Sequence, residues 1–139
     1  MNRLTTHEIH HHLQRHFADG EQATVELVEG GEPALNIVLH GYGDMELQLA
    51  ASGDQIFVST VLFEASQVAD PVGLNDACVR LNPINPLSNL GLAVIGGRDT
   101  YIVFGELSSA SPHATIIEEI LTLADNTVAA AEALQPYLA

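Results

Sequence analysis

Residues Pro86–Ser108, PLSNLGLAVIGGRDTYIVFGELS, decide the fold. Two β-rich runs, 90–95 and 100–107, flank Gly96-Gly97-Arg98-Asp99, where paired glycines supply the positive φ that a tight hairpin turn requires. Leu90, Leu92 and Val94 fall on one side of the first run and Gly91, Ala93 and Ile95 on the other. In the second run Tyr101 and Val103 oppose Ile102 and Phe104. Neither side is polar, and a strand apolar on both faces predicts cover on both faces, by helices, a second sheet or a partner chain.

Upstream of the hairpin, 55–64 (QIFVSTVLFE) has the same two-sided character, which predicts a central strand. Before it, Met45, Leu47, Leu49 and Ala51 alternate with Glu46, Gln48, Ala50 and Ser52, the pattern of a strand with one buried and one wet face. Strands are also predicted over 23–29 and 34–40, with turns at 30–33, 41–44 and 52–54, so the first four strands read as an antiparallel meander. A first helix is predicted over 6–18: Thr5 and Glu8 have capping-box spacing, and Ile9, Leu13 and Phe17 form its narrow apolar stripe. Asp70-Pro71 opens a short second helix with Leu74, Ala77, Cys78 and Leu81 inward. Ser111-Pro112 repeats the signal before a long helix reaching about Gln135, with Ile116, Ile117, Ile120, Leu121, Leu123, Ala124, Val128 and Ala131 on its broad apolar side and Glu118, Glu119, Thr122, Asp125, Asn126 and Glu132 on its wet side. No linker divides residues 1–139, and the order α-ββββ-α-ββ-α predicts a single two-layer α+β domain with a mainly antiparallel sheet.

Eighteen acidic residues stand against four arginines and no lysine, a formal net charge of −14. Nucleic acid and anionic membrane surfaces both select for clustered cations, so neither is an expected partner, whereas a basic protein is compatible. One cysteine, Cys78, excludes an intramolecular disulfide and is compatible with a cytoplasmic protein. No stretch approaches the ~20 apolar residues of a membrane-spanning helix, and the N-terminus lacks signal-peptide character.

Candidate chemistry is sparse. His7-Glu8-Ile9-His10-His11 matches the zinc-peptidase spacing H-E-x-x-H literally. On a helical wheel, however, His7 and His11 fall opposite the Ile9, Leu13, Phe17 stripe and face solvent rather than a cleft. They are weak metal candidates, and no cofactor is expected. Cys78 lies on the apolar side of its helix with no activating neighbour in sequence, Ser108-Ser109-Ala110-Ser111 lacks a nucleophile elbow, and Gly96-Gly97-Arg98-Asp99 lacks the lysine of a phosphate loop. No catalytic residue is assigned.

The element order and the C-terminal half, PLSNLGLAVIGGRDTYIVFGELSSAS followed by IIEEILTLADNTVAAAEAL, resemble the YjfI-like family of uncharacterised bacterial proteins over most of the chain. More distantly, the order is similar to the type III secretion chaperone-like fold, shared by small acidic dimeric chaperones and YbjN-type proteins. The pattern carries this resemblance and transfers no active site. It implies a phage-shock-protein-A-like partner and a role in a bacterial envelope-stress module.

The expected function is therefore a non-enzymatic, protein-binding or chaperone-like protein. The expected contacts are Val58, Leu62, Val94 and Phe104 on the strands and Glu118 and Glu119 on the last helix. A homodimer is predicted because three helices are too few to cover both faces of the central strands. The alternative is a metal-binding protein or metal-dependent hydrolase built on the N-terminal histidines.

Overall fold

Gly96 and Gly97 have φ of 58° and 78°, so the decisive hairpin closes through two left-handed residues. Strands β5 (Asn89–Ile95) and β6 (Arg98–Ser108) flank them directly. Arg98 and Asp99, expected in the turn, already belong to β6, because two left-handed residues match the strand twist without a longer loop. The computed structural model describes residues 3–139. Ahead of the hairpin lie β1 (Ala23–Val28), β2 (Ala34–Leu39), β3 (Met45–Ser52) and β4 (Gln55–Glu64). All pairings are antiparallel in one sheet of order β1-β2-β3-β4-β6-β5. The helices are α1 (Thr6–His16), α2 (Pro71–Leu81) and α3 (His113–Leu134).

Because side chains alternate along a strand, the register defines two faces. On one, the row Leu27, Leu35, Leu49, Val58, Gly105 crosses five strands. Ile9 and Leu13 of α1 and Phe17 at its C-cap join this face in the core, Asn75 of α2 accepts a hydrogen bond from the Tyr101 hydroxyl, and Glu119 of α3 rests on Gly105. All three helices thus cover the same face. Of the covers expected for the opposite face, helices supply none: no helix lies over it among the described residues.

The capping signals resolve unevenly. Thr5 and Glu8 form both bonds of the predicted capping box, and Asp70 accepts from the Gly73 N–H at 3.0 Å with Pro71 in the first turn. At α3 the expectation fails. Pro112 itself is the N-cap, with no side-chain cap bond, and Ser111 stays in the preceding turn. The buried side of α3 is also rotated from the one expected: Glu119, Asn126, Thr127 and Ala130 are buried, whereas Val128 and Ala131 are exposed. Two local features explain the rotation. Gly105 has no side chain, which leaves room for Glu119, and the Asn126 amide donates to Pro86 O at 2.6 Å and Ser88 Oγ at 3.1 Å, tying α3 to the segment that enters β5.

Candidate functional site

The uncovered face divides into two halves. Over β1–β3 it is polar: Glu26, Asn36 and Gln48 lie in one cross-strand row, and the Asn36 amide donates to Glu46 at 3.1 Å. Over β4, β6 and β5 it carries an apolar cluster, with Glu106 opposite Phe57 and Ser59 opposite Phe104. Phe57 and Phe104 stack with ring centroids 5.6 Å apart at 24°, and Val61 is paired with Ile102, which is paired with Gly91. A Cβ on Gly91 would come 2.8 Å from the Phe104 ring, so the missing side chain lets that ring lie flat across the hairpin. Phe57 and Val61 remain 39% and 53% exposed. Sequence reasoning placed Phe104 here but missed Phe57, Val61 and Ile102. Their signal was present in the two-sided composition of 55–64 and 100–107, but which side stays open depends on where the helices fall.

The expected partner contacts do not form one surface. Val58 is 0% exposed, beneath the helices, and so offers no surface to a partner. Leu62 is the unpaired residue of a bulge between Val61 and Phe63 and packs against the core. Val94 lies on the helix-side face of edge strand β5 and is 71% exposed, beyond the reach of α2. Beside it, exposed Leu92 and Val79 flank a cavity of about 260 Å³ whose lining also includes Asn75, Leu90 and Tyr101. Glu118 is exposed as expected. Glu119 is not: it is 4% exposed, and burial first, then the Glu118 carboxylate, push its pKa up from the usual carboxylate range.

The histidines of α1 have other occupations. His7 Nε2 lies 2.7 Å from Glu29 Oε1, and the Glu8 carboxylate is engaged with the Thr5 N–H and hydroxyl rather than aimed at a water. His11 is exposed. His12 stacks on His113 of α3 at 3.7 Å, and desolvation followed by repulsion from His113 lowers its pKa. Among the described residues, no group of three histidine, cysteine or carboxylate side chains converges to hold a metal ion. Cys78 is buried and desolvation raises its pKa, the opposite of thiolate activation. Ser109, fully buried, donates to Gly53 O at 2.9 Å, while its backbone bonds Asp54 and Leu4, so it fastens the end of β6 to the β3–β4 turn and the N-terminus. No helix among the described residues is long and apolar enough to cross a membrane.

Solved structures share this architecture. An uncharacterized protein from Methanothermobacter thermautotrophicus superposes with a TM-score of 0.61 at 11% identity, covering 94% of this chain and 99% of that one. A chain of the HopA1–SchA chaperone–effector complex superposes with a TM-score of 0.61 at 15% identity, covering 89% and 94%. ExoU–SpcU, the heterodimeric complex from the type III secretion system of Pseudomonas aeruginosa, is more distant, with a TM-score of 0.49 at 14% identity, covering 86% and 88%. The fold is the type III secretion chaperone-like one that the element order implied. In sequence, the chain is 32% identical over 110 residues to the uncharacterized protein YjfI of Escherichia coli (strain K12), a match covering 79% of this chain and 83% of YjfI. YjfI of Escherichia coli O157:H7 matches to the same extent. Residues 3–138 match the family described as "Uncharacterized protein conserved in bacteria (DUF2170)". The chain thus belongs to the YjfI-like family that it resembled.

Proposed function

We propose that this chain is a non-enzymatic, chaperone-like protein that holds a protein partner on the apolar half of its open sheet face. The observation that carries the reading is the Phe57–Phe104 stack with exposed Val61 beside it, on a face that no helix covers among the described residues. Contiguous exposed apolar surface beside a polar border is how partner sites are built, since burying it contributes about 25 cal/mol per Å². The chaperone-like fold supports the same reading, although fold alone does not establish function. The partner implied by the family resemblance is a phage-shock-protein-A-like protein in a bacterial envelope-stress module, met in the cytoplasm. The self-association expected from the sequence becomes a homodimer through the β5 edge, supported by Leu92 and Val94, exposed on that edge strand, and by Val79, exposed on α2.

The test is capture of the purified phage-shock-protein-A-like partner by the wild-type chain and by Phe104→Asp. A charge placed on the aromatic stack abolishes capture in a variant that keeps its folded circular dichroism spectrum. Normal capture by that folded variant rejects the open face as the docking site.

A further inference from the structure

Glu119 is a buried acid with spare hydrogen-bonding capacity. Its Oε1 lies against Gly105, close enough to clash with a Cβ there, and its Oε2 is buried with no hydrogen-bond partner among the described residues. An unsatisfied buried polar atom costs on the order of 1–3 kcal/mol, and native structures hold few of them. Beside it opens a cavity of about 240 Å³ lined by Leu87, Glu106, Leu107, Thr115, Glu118 and Glu119. The walls belong to three separate elements. Glu106 and Leu107 come from the end of β6, past Phe104, where β5 no longer pairs with it. Thr115, Glu118 and Glu119 come from the first turns of α3. Leu87, held in the left-handed region at φ 63°, belongs to the segment that Asn126 fastens to the helix on either side of it.

The charge of this cavity is one-sided. All three ionisable groups in its lining are carboxyls, and no arginine reaches them: Arg3 pairs with Asp54, Arg80 with Asp76 and Arg98 with Glu64, while Arg15 lies on α1 beside the histidines. We propose that the cavity takes the cationic end of one lysine or arginine side chain from a protein partner, with the Glu119 carboxylate accepting its N–H and Leu87 and Leu107 packing on its alkyl stem. Two exposed carboxylates at the rim attract the cation, and the buried one gains the donor it lacks. This inference rests on the reading of the chain as a partner-binding protein and specifies one chemical feature of the partner.

The test uses a small probe, so that it stands apart from the open sheet face. N-acetylarginine amide is titrated into the isotopically labelled full chain and followed by amide chemical shifts, with the neutral, isosteric N-acetylcitrulline amide alongside. Saturable shifts at Gly105, Leu107 and Thr115 are expected with the arginine compound and not with citrulline. Glu119→Gln should weaken binding roughly tenfold or more, the size of a lost hydrogen bond to a charged group. The side-chain carboxyl carbon of Glu119 in the wild-type chain gives a readout that needs no variant: its pKa falls when the arginine compound binds. The proposal is overturned if those amides do not shift, if citrulline binds equally, if Glu119→Gln binds unchanged, or if the Glu119 titration stays put. Displacement of the probe by magnesium at comparable concentration would reassign the cavity to a metal ion and overturn the partner assignment. Loss of partner capture in Phe104→Asp with probe binding intact, or the converse, separates the two proposals.

Discussion

Glu119 and Gly105 show how a single absent side chain redirects a helix. A helical wheel places Glu119 beside Glu118 and Asp125 on the wet side of α3, and only the gap above Gly105 brings it inward. Its raised pKa has a consequence for stability. Between the ordinary carboxyl range of the unfolded chain and the raised value of the folded one, the folded state binds more protons. Stability from this group is therefore complete at acid pH, falls as pH rises through that window, and is level above it. Glu119→Gln cannot lose a proton and should remove this share of the decline. Urea unfolding midpoints measured from pH 4 to pH 8 check this: the variant's curve should be flatter than the wild type's and lie above it at neutral pH. Parallel curves would mean that Glu119 titrates alike in both states.

At the scale of elements, local signals read well where the chain contacts only itself. The Thr5–Glu8 capping box forms as its spacing requires, and Gly96-Gly97 closes the β5–β6 hairpin. The start of α3 is not legible locally, because Ser-Pro fits either of two cap registers and the one adopted depends on where the helix docks. Edge strand β5 makes the most direct prediction at this scale. Leu92 and Val94 are 53% and 71% exposed on its helix side, with Val79 of α2 nearby. A second copy pairing at this edge would bury them and satisfy the free backbone groups. Sedimentation equilibrium should therefore give twice the chain mass for the wild type, and Val94→Asp should weaken self-association roughly tenfold or more, since a desolvated unpaired charge costs several kcal/mol. A monomeric wild type at tens of micromolar excludes the dimer.

Over the whole molecule, charge and apolar area act on different steps of binding. With a net charge of −14 and three of its four arginines already in ion pairs, the surface carries a long-range negative field. Such a field speeds encounter with a basic partner and is screened beyond about 8 Å at physiological ionic strength, whereas burial of the Phe57–Phe104 face depends little on salt. Raising sodium chloride from 50 to 500 mM should slow association several-fold and leave dissociation nearly unchanged, as read by stopped-flow or surface-immobilised kinetics. A salt effect confined to dissociation would place the binding energy in ion pairs and move the docking site to the acidic face of α3.

The sequence by itself determined the α+β class, the order of the nine main elements, both strong helix caps and the hairpin, along with the family pattern of the C-terminal half. These are periodicities and short-range hydrogen bonds, so their causes lie within a few residues of their effects. Only the tertiary structure decided which face of the sheet the helices cover, that Val58 is core while Phe57 is surface, and that Glu119 is buried. Composition in β4 and β6 is apolar in both phases, so alternation cannot tell inside from outside there. That choice was made by the docking of α1, α2 and α3 on one side, and by Gly105, more than 12 residues from the carboxyl it admits.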